Sequence, residues 1–135
     1  MAATLQQIAD GIETRLATVT GLRVFDHVPD IFATPCSFVL PGSIAYWGDF
    51  AGGNAEVEVV ITVVVGRTSD RAAQKSLYTY MSYSGAGSIR AAIEADRTLG
   101  GVCQTLLVER ADNIRMLAQG DATYLAVDFV VRVHA

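Results

Sequence analysis

The sequence predicts an α+β domain, in which an antiparallel or mixed β-sheet has two to three helices packed on one face. Three observations predict this fold. Residues 56–66 alternate at the period of a strand, residues 4–16 repeat apolar side chains at helical spacing, and short turn-forming segments separate the elements. Helices and strands come in groups with mostly hairpin-length connections, which favours this class. We expect a single domain over residues 1–135.

Residues 56–66 are expected to form the central strand. Its odd positions are all β-branched and apolar: Val57, Val59, Ile61, Val63 and Val65. Its even positions begin with Glu56 and Glu58 and end apolar, so that face changes from solvated to buried. Burying one such side chain contributes roughly 1.5–3 kcal/mol, so the odd face is sufficient to anchor a core.

Three helices are predicted from apolar stripes and capping residues. The first follows a capping box formed by Thr4 and Gln7 and ends near Gly21. The second follows Ser69-Asp70, and the third, a short one, follows Ser88. The stripes are Leu5, Ile8, Ile12, Leu16 and Val19 in the first helix, Ala73, Leu77, Tyr80 and Met81 in the second, and Ile89, Ala92 and Ile93 in the third.

The other strands are expected at 22–27, 37–40, 102–109 and 124–134. Residues 44–47 continue the second of these after a kink or bulge at Pro41-Gly42, and the glycine-rich run 48–54 turns it into the central strand as a long hairpin. Residues Ala111–Asp121 are interpreted as a polar loop, because their apolar members lack a clean period.

Composition excludes some classes of protein. The net charge is −4, the basic residues are scattered, and 51% of residues are hydrophobic while 18% are charged. These values argue against a disordered acidic chain and a free-standing nucleic-acid binder, and they suggest apolar surface available for a partner. The N-terminus lacks the pattern of a signal peptide, so we expect a soluble protein made in the cytoplasm. Cys36 and Cys103 are interpreted as buried small hydrophobes, with a disulfide as the alternative.

No motif in the sequence predicts catalysis, and we expect no enzyme, cofactor or metal site. The only histidines are His27, beside a proline loop, and His134, at the penultimate position. The Glu56/Glu58 pair is interpreted as a solvated strand end, with a hard cation or a neighbouring subunit's arginine as alternatives. Gly85–Ser88 is interpreted as an inter-helix turn rather than a phosphate-binding loop, since it has no P-loop lysine.

An aromatic cluster at the predicted hairpin tip is the best candidate for an interface. Tyr46, Trp47 and Phe50 lie within five residues of one another, and Trp and Tyr often dominate binding energy. Two interpretations stay open: the cluster anchors an interface, or it folds back and covers the sheet.

Several segments, in their order and spacing, resemble the tail terminator (tail completion) proteins of long-tailed bacteriophages that infect actinobacteria. The resemblance covers most of the chain and contains no catalytic signature. The segments are Leu5–Leu16, Gly21–Val24, Val63–Arg67, Ser69–Gln74, Tyr80–Ser82, Gly87–Ile93 and Leu99–Gly101.

This resemblance implies a structural virion protein of the tail or neck. Such proteins form a ring, typically hexameric, that ends polymerisation of the tail tube, binds head-completion (stopper) proteins and lets DNA pass through its lumen without sequence-specific binding. No membrane is involved. The contacts are expected at the hairpin tip and in the loop Asn113–Gln119, and lumen carboxylates such as Asp49, Asp112 or Asp121 are expected to repel phosphates. The candidate interface residues are Tyr46, Trp47, Asp49, Phe50, Glu56, Glu58, Asn113, Ile114, Arg115 and Met116.

Three alternative functions remain open at this point. The first is another neck component (a head–tail stopper or adaptor) or a tail tube subunit. The second is a small dimeric α+β ligand-binding domain or enzyme. The third is an adaptor with no phage role. The second alternative requires convergent polar groups on the apolar faces, which the strand alternation shows almost nowhere.

Overall fold

The computed structural model describes residues 4–19, 21–25, 28, 34–45, 56–68, 71–85, 87–119 and 121–134. These residues form three helices and five strands. In chain order they are α1 (Leu5–Leu16), β1 (Arg23–Phe25), β2 (Cys36–Ala45), β3 (Glu56–Arg67), α2 (Arg71–Met81), α3 (Ile89–Glu94), β4 (Thr105–Gln119) and β5 (Ala122–His134). Among the described helices, none is long and apolar enough to span a bilayer.

The strands form one mixed sheet in the order β1-β2-β3-β5-β4. β1 pairs with β2 in parallel, and the other neighbours are antiparallel. The α+β class is therefore confirmed, and β3 is the central strand, as the alternation of residues 56–66 predicted. β2 continues past Pro41 with a register shift between Pro41 and Ser43, which is the bulge expected there.

The core lies between the sheet and the three helices, which all pack on one face. All five odd-position side chains of β3, Val57 to Val65, are buried there. They pack with most of the stripe residues that the sequence predicted for α1, α2 and α3, and with the odd positions of β5. Leu5, predicted as the first residue of the α1 stripe, is instead 43% exposed in the first turn of that helix. The Arg15 side chain also joins two helices, because its Nε donates to the Ala92 carbonyl at 3.0 Å.

Two of the predicted helix caps are present in the structure. The Thr4 hydroxyl accepts from the Gln7 amide at 3.1 Å, and the Gln7 side chain accepts from the Thr4 amide at 3.0 Å. The Ser88 hydroxyl accepts from the Ala91 amide and donates to the Ser82 carbonyl at 2.6 Å. The Ser88 hydroxyl is thus engaged in the turn between α2 and α3, and a Cβ at Gly87 would overlap the Thr79 side chain. The proposed cap at Ser69-Asp70 lies outside the described residues.

The interpretation of Ala111–Asp121 as a loop is wrong. β4 runs from Thr105 to Gln119 and pairs with β5 over most of its length. Its register shifts twice, between Val108 and Arg110 and between Asp112 and Arg115, and Asn113 has a φ of 55°. Each shift inserts an extra residue and breaks the period of two on which recognition of a strand depends. Asn113–Gln119 is therefore an edge strand, not a projecting loop.

Two other strand predictions are corrected in extent. The strand expected at 22–27 is observed at Arg23–Phe25, with Asp26 and His27 outside the described residues. The strand expected from Val102 begins at Thr105, because residues 98–101 form a turn with positive φ at Leu99, Gly100 and Gly101.

The other face of the sheet carries a second, smaller apolar cluster. It consists of Cys36, Phe38, Val64, Tyr124 and Ala126, and includes no helical residue. Cys103 instead belongs to the main core. Both thiols are free and buried, as the small-hydrophobe interpretation predicted, and the disulfide alternative is excluded.

The position of Ile61 in the core predicts a large loss of stability on truncation. Ile61 is fully buried in β3, so Ile61→Ala should lower the free energy of unfolding by about 2–5 kcal/mol. Leu40→Ala is the control, since Leu40 is 45% exposed on the adjacent strand and should lose much less. Urea denaturation measures both, and equal losses would contradict the central position of Ile61.

Burial also predicts unreactive thiols in the folded protein. Desolvation raises the pKa of the Cys36 thiol to about 11 and raises the pKa of Cys103 as well. Both groups therefore stay protonated at pH 8, and the thiolate is the reactive form. An aromatic disulfide reagent should label neither cysteine in native buffer and both in 8 M urea, where about two thiols per chain are expected. Rapid labelling of the native protein would contradict this burial.

Candidate assembly interface

The expected interface residues fall into three groups in the structure. Tyr46, Trp47, Asp49 and Phe50 lie outside the described residues, between the end of β2 and the start of β3. Glu56, Glu58, Asn113 and Arg115 lie on or beside the helix-free face, which is the face of the sheet opposite the helices. Ile114 and Met116 line a groove on the helix side. The structure thus separates residues that the sequence grouped into one loop.

A largely buried carboxylate, Asp128, organises the middle of the helix-free face. Its Oδ1 accepts from the Thr62 hydroxyl at 2.9 Å and lies 3.0 Å from the Arg115 guanidinium. Its Oδ2 accepts from the Asn113 side-chain amide at 2.9 Å. The bulge with the left-handed Asn113 brings both β4 side chains to this carboxylate. The arrangement is a network of hydrogen bonds that ties three strands together across the sheet.

Asp128 lies directly opposite a second carboxylate, that of Asp112 on β4. Opposed like charges destabilise an antiparallel pair, so each needs its own cation. Arg115 forms an ion pair with Asp128, and the Arg110 guanidinium lies 2.7 Å from the Asp112 carboxylate. This local pairing reduces the phosphate repulsion expected of Asp112.

A second group of charges lies nearer the end of the sheet from which the 46–55 connection departs. The Arg132 guanidinium lies 2.6 Å from the Glu56 carboxylate and 3.2 Å from that of Glu109. The partner of Glu56 is thus an arginine of its own chain, across the β3–β5 pair. Within the described residues, no cluster of three or more His, Cys, Asp or Glu side chains is placed to hold a metal ion.

These pairs shift the arginine pKa values upward. The hydrogen bond to Asp112 is the main cause for Arg110, and the hydrogen bonds to Glu56 and then Glu109 are the main causes for Arg132. Both guanidiniums therefore stay charged at neutral pH. Because these pairs face solvent, which screens the attraction between their charges, they add little to the stability of the fold.

The helix side of β4 forms a groove with α2, which we call the α2–β4 groove. Met116 and Ile114 form its outer wall and are 72% and 51% exposed. Ala73 and Leu77 of α2 and Leu125 of β5 form its floor, and its volume is about 430 Å³. Exposed large apolar side chains around a concave apolar floor are typical of a protein interface.

The edge of β4 is covered at its start and open further along in the described chain. The Val108 amide donates to the Glu94 carboxylate of α3 at 3.0 Å, so α3 shields the start of the strand. The guanidiniums of Arg90 and Arg97 lie 3.3 Å and 3.0 Å from the same Glu94 carboxylate. Beyond the Asn113 bulge, residues 114–119 are the edge of the described sheet. An open strand edge offers unpaired backbone groups to another chain.

Sequence reasoning missed the Asp128 network and the α2–β4 groove. Thr62 and Asp128 are polar residues in the apolar middle of their strands, which is a usable signal, but their contact depends on the register of β3 against β5. The groove depends on β4 extending beyond Asn113, and the interrupted apolar period of this segment did not predict that extension. Compared with models of protein families and with curated protein sequences, the chain matches none.

The Asp128 network predicts unequal effects for the two opposed carboxylates. Asp128→Ala should lower the free energy of unfolding by about 1–3 kcal/mol, because the buried Thr62 hydroxyl and Arg115 lose their acceptor. Asp112→Ala is the matched control, since Asp112 is exposed and removing it relieves the opposed charges, so the change should stay within about 0.5 kcal/mol. Thermal or urea unfolding measures both. Equal losses would show that Asp128 does not organise this face.

Proposed function

We propose that this chain is a structural virion protein that forms a ring at the head-proximal end of the tail tube of a long-tailed phage. The ring ends polymerisation of the tube and joins the tail to the head-completion proteins. The proposal draws on the ordered segments that resemble tail terminator proteins, and the α+β fold is compatible with it. It assigns the chain no enzymatic activity and no cofactor.

The observation that carries the proposal is the apolar surface at the open end of β4. Met116 and Ile114 are largely exposed at a strand edge, beside an apolar groove. Natural edge strands are usually blunted by charge, bulges or a covering element, and the start of β4 has all three. Ile114 and Met116 follow the second bulge and keep their apolar side chains exposed, which favours a surface that is buried on assembly.

A ring imposes a particular type of contact. Each subunit of a cyclic ring needs two different, complementary patches, one for each neighbour. The α2–β4 groove is one such patch. The aromatic residues of the 46–50 segment supply the side chains of a second, and this segment follows Ala45, which is at the opposite end of the sheet from the groove.

The proposed function predicts both a particle and a tail phenotype. The purified protein, alone or with tail tube protein, should form rings of about six subunits, measured by light scattering and negative-stain microscopy. Deleting the gene from its phage should give free heads and tails of abnormal length, and expressing the wild-type gene in trans should restore infectious particles.

Two outcomes would contradict the proposal. Tails of normal length that fail only to join heads would identify a head–tail stopper instead. Loss of all tubes would identify a tail tube subunit.

A further inference from the structure

The α2–β4 groove is preformed and its rim is basic. Its floor and wall are apolar, and the charged side chain among its described lining residues is Arg71, which is exposed at the start of α2. Thr68 and Gln74 complete the polar rim. A volume of about 430 Å³ falls in the range of roughly 300–1,000 Å³ that is typical of pockets for compact ligands. The groove therefore suits an aromatic segment that carries a carboxylate.

The chain itself contains such a segment. Residues 46–50 read Tyr-Trp-Gly-Asp-Phe, with three aromatic side chains and a single acidic one. The aromatic rings match the apolar floor, and Asp49 matches Arg71 in charge. Aromatic residues of this kind provide most of the energy of many interfaces.

The dimensions of the sheet exclude docking within one chain. The groove lies level with Gly66, because Gly66 pairs with Leu125 and Leu125 pairs with Met116. The 46–50 segment leaves β2 at Ala45, which is level with Glu56. The ten residue steps from Glu56 to Gly66 span about 33 Å at about 3.3 Å per residue. Five residues beyond Ala45 reach at most about 17 Å when fully extended. A segment that fills the groove must therefore come from another copy.

We infer that the 46–50 segment of one copy docks in the α2–β4 groove of the next copy, with Asp49 facing Arg71. The contact joins two different patches, and it is head-to-tail when each copy places its segment in one neighbour and receives the segment of the other. Head-to-tail contacts generate a ring when the rotation closes. The inference deepens the proposed function and rests on it for closure of the ring.

A mixing experiment with two variants tests this contact. Met116→Glu places a charge on the groove wall, and Trp47→Ala removes the central aromatic side chain of the segment. Met116 is 72% exposed, so the substitution should leave the fold intact, which circular dichroism checks. Each variant alone should need about tenfold or more protein to assemble, measured by light scattering. Leu107→Glu, at the covered end of β4, and Tyr83→Ala, an exposed aromatic residue after α2, are the matched controls and should assemble as wild type.

The mixture of the two variants tests whether the segment of one chain occupies the groove of another. The Met116→Glu chain keeps its segment and the Trp47→Ala chain keeps its groove, so one intact contact remains per pair. The mixture should form a one-to-one dimer that does not extend. A mixture that stays monomeric, or a Met116→Glu chain that assembles as wild type, would overturn the inference.

Charge exchange supplies a second measurement that does not alter the apolar groove. Arg71→Glu should weaken assembly, and adding Asp49→Arg to it should restore assembly. Failure to restore would overturn the pairing of these two residues. Failure of the docking mode is separable from failure of the proposed function, because wild-type rings and tails of abnormal length on gene deletion would still support the function. Wild-type protein that stays monomeric with tail tube protein present would overturn the docking.

Discussion

The burial of the odd face of β3 beneath three helices is the constraint on which the rest of the structure depends. Five β-branched side chains in strict alternation leave no other register, because a shift of one residue would place Glu56 and Glu58 in the core. The same alternation sets the register of β2 and β5 on either side. Helices α1, α2 and α3 then cover one face only, and the other face is left to polar pairing and a small apolar cluster.

The sequence predicted the elements whose apolar residues keep an unbroken period. α1 with its capping box, α2, α3, β3 and β5 all keep that period, and the structure contains each of them. The sequence pattern did not predict β4 beyond Glu109, where β-bulges interrupt the regular strand. The two bulges in β4 move its helix-side residues from a spacing of two to three, so Ile114 and Met116 looked aperiodic. The Asp128 network was out of reach for another reason, because the pairing of Thr62 with Asp128 joins residues that are far apart in sequence.

The two bulges break the apolar period of β4, and they also divide the strand into a covered half and an open half. The first half is covered, since α3 presents Glu94 to the Val108 amide. At the second bulge, Asn113 takes a left-handed conformation that only a few residue types tolerate, and its side chain binds Asp128. The extra residue in the bulge changes which side chains face each side of the sheet, so that Arg115 faces Asp128 while Ile114 and Met116 face α2. Asn113 thus contributes a hydrogen bond to the network on the helix-free face, and its bulge directs Ile114 and Met116 into the groove on the other face.

In the docking contact that we propose, the length of β3 matters for assembly as well as for folding. β3 sets the distance between Ala45, after which the 46–50 segment begins, and the α2–β4 groove at the other end of the sheet. In a head-to-tail contact that distance and the twist of the sheet fix the rotation from one subunit to the next. Inserting two residues into both β3 and β5 would preserve the alternation of their faces but move the two patches apart and rotate them. With the docking that we propose, such a chain would keep its core and lose the closure of its ring, which separates the requirements of the fold from those of assembly.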